Sequence, residues 1–115
     1  MVGSLKFTKM HGLGNDWVII DLFDKANSAV FMKIKDEAAF ARRVCDRHFG
    51  IGADGILLAS PSKNADCMMR ILNADGSEAE MSGNGIRCIA KFVLDNGYAK
   101  NKEIAVETIS GVKKI

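Results

Sequence analysis

Four things are scarce in this sequence, and each scarcity removes a class of function. The three cysteines, Cys45, Cys67 and Cys88, are odd in number, far apart and without a CxxC spacing, which indicates neither a disulfide framework nor a thiolate metal site. They read as reduced thiols, mostly in the core. His11 and His48 are the only imidazoles, and neither has a second His or Cys at ligand spacing, so no metal is expected. His48, after Arg47 at a helix end, reads as a capping or packing residue. Charge of one sign is lacking too: 16 basic and 14 acidic side chains leave +2, too weak a field to draw in nucleic acid or an anionic membrane. No stretch approaches the roughly 18 apolar residues that span a bilayer, and the start, Met1 to Lys6, has no apolar signal region. The expectation is a soluble, cytoplasmic protein whose partners are small molecules or proteins.

What is present is core material: 115 residues at 48% hydrophobic composition, the size of one domain that can close without staples. Leu5–Met10 and Trp17–Asp21 read as strands around the glycine loop His11–Asp16. The stretch 24–35 is ambiguous, with Asn27-Ser28 suggesting a turn. Asp36 can cap a helix running to about Arg47, with Gly50 as its stop and Arg42, Arg43 and Arg47 largely on a solvated face. Gly55–Ser60 and about Asp66–Leu72 form a hairpin across Pro61, and Glu103–Ile109 alternates as a closing strand. An apolar strand pattern is still running at Ile115, so the chain looks cut short.

The most informative segment runs from Asn73 to Cys88, NADGSEAEMSGNGIRC. A polar, glycine-rich stretch turns there directly into a helix whose only polar stripe is Arg87, Lys91 and Asp95, so the helix is buried on most sides. Ser82, Gly83, Asn84 and Gly85 leave its first N–H groups uncovered, a start suited to an anion. Ser82 is a good N-cap, whereas a serine nucleophile would want a GxSxG elbow that is absent. Asn15 and Asn73 sit beside glycines where turn chemistry alone favours Asn, yet two amides near one anion site would orient a ligand. Gly50-Ile51-Gly52-Ala53-Asp54-Gly55 matches GxGxxG but lies between a helix and a strand, the reverse of a dinucleotide site. Sequential hairpins around one very apolar helix give the fold class: α+β, a curled, barrel-like and mostly antiparallel sheet wrapped around a central apolar helix.

The strings KFTKMHGLGNDWVIID, CDRHFGIGADGILL, NADGSEAEMSGNGIRC and VETISG, in this order from Lys6 to about Gly111, resemble the amino-terminal half of diaminopimelate epimerase. The resemblance implies a single domain, residues 1–115, that would face a similar carboxy-terminal domain across a substrate cleft between two helix starts. It also implies an isomerase of lysine biosynthesis that interconverts LL- and meso-diaminopimelate. One cysteine from each domain would remove and return the α-proton, with no cofactor and no metal. Gly83 and Asn84 would offer N–H groups to the reacting carboxylate, and Asn15 and Asn73 would bind the distal amino-acid end. Some members carry a polar substrate-contacting residue where this chain has Gly55; others have the same GADG string.

Two departures follow. The family's catalytic cysteine precedes Gly-Asn-Gly, and here that position is Ser82, a far weaker acid than a thiol; Cys88 matches a different family cysteine. The carboxy-terminal domain is absent, so this chain is expected to be an incomplete, inactive or nearly inactive half that associates through an exposed apolar face with that missing domain or as a homo-oligomer. The alternatives are a non-catalytic carboxylate- or amino-acid-binding half-domain, and another racemase or isomerase of the same fold.

Overall fold

The computed structural model describes residues 5–12 and 14–115. The segment Met1–Ser4, within the start read above for a signal region, and Leu13 of the expected glycine loop lie outside them. The first two strands are β1 (Phe7–Gly12) and β2 (Asn15–Asp21), antiparallel with Gly12 opposite Asn15. The loop expected over six residues is therefore a tight turn, and Gly14 adopts the positive φ of +91° that it requires.

The stretch with no clear reading in sequence is a helix, α1 (Lys25–Met32), started by Asp24, whose carboxylate accepts from Ala26 and Asn27 N–H. Asn27, a weak helix former, is used here for tertiary bonding. It is 2% exposed, accepts from Lys6 N–H and donates to the Lys6 and Asp21 carbonyls, tying α1 to the first hairpin. Its propensity loses to three hydrogen bonds. Helix α2 (Glu37–Cys45) begins as expected, Asp36 accepting from Ala39 N–H at 3.0 Å. Glu37 in its first turn meets Arg70, which also pairs with Glu78 and so fastens the helix to the sheet.

The expected hairpin is β3 (Gly55–Ser60) with β4 (Cys67–Asn73), in a register that sets Gly55 opposite Asn73. After the short β5 (Glu78–Ala79) comes α3 (Gly83–Asp95), and β6 (Ala105–Thr108) with β7 (Gly111–Lys114) make a closing hairpin. The apolar pattern at the chain end belongs to β7, which pairs with β6. Helix α3 stops in a Schellman motif: Gly97 at φ +75° donates to Leu94 O, and Tyr98 N–H to Val93 O.

The sheet order is β1-β2-β3-β4-β6-β7, with β5 on β4. The fold class is α+β as expected, a mostly antiparallel sheet packed about α3, and it stays open at β1 and β7. Two pairings, β2–β3 and β4–β6, are parallel. Each is bridged by helix, α1 and α2 on one face and α3 on the other. Ile86, Ile89, Phe92 and Val93 of α3 pack on Trp17, Ile19, Leu57 and Ile71, while Val18, Ile20, Ile56 and Leu58 meet α1 and α2. Burial on both faces explains why Gly55–Ser60 reads as a continuous apolar run and not as an alternation. Among the described residues no helix is long and apolar enough to cross a membrane.

Candidate functional site

Four segments meet at one end of the sheet: the start of β2, the loop before β3, the end of β4 and the start of α3. Ser82 is the N-cap of α3, extended at φ −147°, and its Oγ accepts from Gly85 N–H at 3.0 Å. The Ile86 N–H is taken by Ser82 O. The N–H groups of Gly83 and Asn84 have no acceptor among the described residues. Gly83 is exposed with open space around it, and Gly85 is closely packed: a Cβ there would lie 3.2 Å from Leu57 Cδ2 and Ser82 Cβ. Two free donors at the positive end of a thirteen-residue helix make the place where an anion is best held.

Asn15 and Asn84, both singled out in sequence, meet at that start. Asn84 Nδ2 donates to Asn15 Oδ1 at 2.8 Å, across 69 residues of chain. Asn15 in turn donates to Asp54 Oδ2 at 3.3 Å. Asn73 is one strand further on, its amide donating to Ser77 Oγ and its N–H to Ser77 O. The Ala74 N–H, next in the chain, donates to Asp54 O.

Sequence reasoning missed what stands behind these amides. Arg47, read as part of a solvated face, has left the helix and grips Asp16 with both guanidinium nitrogens, Nη1 at 3.0 Å and Nη2 at 2.9 Å, while Nη2 also reaches Asp54 Oδ1 at 3.2 Å. Arg42, Arg43 and Arg47 itself are exposed, as expected; what could not be read from sequence is the pairing of Arg47. Asp16 is 9% exposed; the Arg47 guanidinium, helped by Asp54 and Lys9, holds its carboxyl well below the usual range against the opposing effect of burial. The glycines of the GxGxxG string shape this corner: a Cβ on Gly50 would fall 2.0 Å from Arg43 O, and Gly52, at φ +81°, lies against Arg47. They fold the chain tightly over the end of α2, Gly52 and Ala53 N–H donating to Val44 and Cys45 carbonyls, and so deliver Asp54 to Arg47. The only sequence signal was that Gly-rich string in the wrong order for a nucleotide. His48 is exposed, neither packed nor at the site.

Gly55 has no room for a side chain. A Cβ there would sit 2.7 Å from Trp17 Cζ3 and 2.9 Å from Leu72 O. The indole of Trp17 fills the space that a polar contact residue would need. Beside the first turns of α3 lies a groove of about 160 Å³ lined by His11, Gly12, Asn84, Arg87, Cys88 and other side chains. The Cys88 thiol at its floor is 5% exposed and pushed up by burial, so it is no ready base. Cys67, 0% exposed, is pushed up to about 12 by burial, and the Cys45 thiol is raised by the same cause. Among the described residues no group of three or more His, Cys, Asp or Glu side chains could hold a metal ion.

With this geometry in hand, the likenesses are informative. The family model for diaminopimelate epimerase matches residues 7–115. The diaminopimelate epimerase of Agathobacter rectalis is 54% identical over 109 residues, 95% of this chain and 36% of that protein. Those of Acetivibrio thermocellus and Methanococcus maripaludis are 48% and 50% identical over 95% of the chain, which covers 36% and 37% of them. The chain thus spans little more than a third of the length of these curated relatives. Solved structures share the fold at low identity: a probable proline racemase from Agrobacterium radiobacter (TM-score 0.67, 18% identical, 95% of this chain and 36% of that one) and a Bacillus anthracis protein of the PhzF family (0.64, 19%, 96% and 34%). The match to the family model over nearly the whole chain, and relatives about half identical to it, lead to one statement: this chain belongs to the diaminopimelate epimerase family.

Proposed function

We propose that the chain is the carboxylate-holding side of a diaminopimelate epimerase cleft, a protein of cytoplasmic lysine biosynthesis that interconverts LL- and meso-diaminopimelate without a cofactor. The observation that carries this is the pair of N–H groups at Gly83 and Asn84, without acceptors among the described residues, at a helix start where the Asn84 side chain is bonded to Asn15. In this reading those two groups receive the carboxylate at the reacting centre. The amides of Asn15 and Asn73 take the distal amino-acid end.

An α-proton next to a carboxylate is very weakly acidic, so the charge that develops on its removal needs donors fixed in advance and exclusion of water. The start of α3 supplies the donors. It supplies no base: Ser82 occupies the position of the family's catalytic cysteine, and its Oγ is committed to the Gly85 N–H. A serine hydroxyl gives up its proton far less readily than a thiol, even at a helix start that lowers a thiol's pKa. The second acid/base group would come from the remaining two thirds of a full-length relative. Alone and with Ser82, the chain is expected to bind and not to turn over.

The test is a titration of the ¹⁵N-labelled chain with meso-diaminopimelate, read at the backbone amides of Gly83 and Asn84 and the side-chain amides of Asn15 and Asn73. Shifts confined to these four support the reading. Shifts elsewhere, or none at tens of millimolar ligand, overturn it for this chain. Ser82 also motivates a second reading, a non-catalytic binding half-domain, which micromolar affinity of the lone chain would favour over an incomplete enzyme.

A further inference from the structure

Arg47, Asp16 and Asp54 make a charged knot with no role in binding as proposed above. Asp54 has every polar atom engaged. Its Oδ1 accepts from Arg47; its Oδ2 accepts from Asp16 N–H at 2.9 Å and from Asn15 Nδ2; its own N–H donates to Asp16 O at 3.0 Å; its carbonyl accepts from Ala74 N–H at 3.2 Å. It therefore touches the segments that carry Asn15 and Asn73, and reaches Asn84 through Asn15. An isolated Asn side chain can turn its amide over at little cost, because oxygen and nitrogen occupy nearly the same space. Here the acceptor behind Asn15 forces its NH₂ toward Asp54 and its Oδ1 toward Asn84. That fixes the Asn84 amide in turn, with its NH₂ toward Asn15 and its oxygen left for a ligand.

We infer that Asp54, clamped by the Arg47–Asp16 fork, is a positioning residue that sets the amide orientations of Asn15 and Asn84 before any ligand arrives. This rests on the proposed function only for what those amides are oriented toward. The fork is suited to the task because two parallel N–H···O bonds resist rotation, whereas a lysine at position 47 would place one point charge with no preferred plane. The lysine variant separates geometry from charge.

The experiment compares the labelled chain with its Arg47→Met and Arg47→Lys variants, reading hydrogen exchange of the Asn15 and Asn84 side-chain amides. The protection of the Ile19, Leu57 and Ile89 backbone amides serves as the control for folding. The expected result is side-chain exchange faster by about tenfold or more in Arg47→Met, the scale of a lost hydrogen bond to a charged group. Arg47→Lys should recover only part of it, and the core amides should be unchanged. Side-chain amides that exchange as in the unaltered chain overturn the inference, as does full recovery by Arg47→Lys. If Arg47→Met loses core protection, the comparison is made on Arg47→Lys alone, where unchanged side-chain exchange again overturns it. The same samples titrated with meso-diaminopimelate separate the two claims. Exchange that depends on Arg47 without any binding refutes the substrate assignment and leaves the positioning role; binding with exchange independent of Arg47 does the reverse.

Discussion

Gly55→Ala adds one methyl group at a place with no space for it. The new carbon would lie 2.7 Å from Trp17 Cζ3 and 2.9 Å from Leu72 O, against an optimal 3.5–4.0 Å for carbon pairs. Neither neighbour can yield freely: Trp17 is 5% exposed in the packed face under α3, and Leu72 O belongs to the β3–β4 ladder. Overpacking of this kind costs about 1–3 kcal/mol, and for a domain near this size each kcal/mol lowers Tm by about 4–8 °C. Chemical denaturation followed by far-ultraviolet circular dichroism, a signal that does not depend on the single tryptophan, with a thermal melt in parallel, measures both. The cause is steric and not conformational, since Gly55 is not among the glycines of positive φ. Trp17→Phe should therefore relieve part of the cost. Its own loss is softened because the Trp17 Nε1 is buried without a partner among the described residues, and the double variant should be less destabilised than the sum of the singles by about 1 kcal/mol. Gly55→Ala within about 0.5 kcal/mol of the unaltered chain, a size typical of a surface change, or singles that simply add, would refute the claim that the indole occupies this position.

Ile89, 0% exposed at the centre of α3, should cost about 2–5 kcal/mol when cut to alanine, read from the denaturation midpoint; a smaller loss would mean that α3 is not the centre of the core. Ser82→Ala removes the cap on Gly85 N–H and should cost about 1 kcal/mol, with Ser82→Gly only a few tenths. A neutral Ser82→Ala would show the cap to be idle. The carboxyl of Asp16 is depressed in the folded chain, chiefly by Arg47, so the contribution of this pair is present above the ordinary carboxylate value of 3.8 and fades as pH falls below it. The stability difference between the unaltered chain and Arg47→Met should accordingly be level near neutral pH and narrow below about pH 4. A difference that widens on acidification contradicts the assignment.

Local rules carried the sequence reading where a residue's role is local. Asp36 and Ser82 cap helices because their side chains reach an N–H three residues on. Helix α3 declares itself through its unbroken apolar flanks. Legibility fails where a polar residue serves a distant segment. Asn27 looks like a turn residue until Lys6 and Asp21 are seen to close on it, which hides α1. Arg47 is as exposed as it reads, but its pairing was hidden because its partners, Asp16 and Asp54, lie on other segments that the fold brings to the end of α2. The parallel pairing of β2 with β3 is invisible locally as well, since strand order across a helical crossover is decided by which sheet face each helix covers. The asparagines of the candidate site could be picked out because they carry family motifs. The knot that orients them had no such signal beyond misplaced glycines.

The central claim, that this chain is the carboxylate-holding half of an epimerase cleft with its acid/base group replaced at position 82, meets its most direct test in a two-domain protein. Residues 7–115 would be joined to the carboxy-terminal part of the Agathobacter rectalis relative, with Ser82 kept or changed by Ser82→Cys. Deuterium incorporation at the α-carbon of LL- and meso-diaminopimelate in D₂O would then be followed by mass spectrometry. The Ser82→Cys protein should epimerise and incorporate deuterium, and the Ser82 protein should be slower by at least about a thousandfold, as when a catalytic nucleophile or base is deleted. Equal rates for the two, or no exchange in the cysteine form of a folded protein, would contradict the claim.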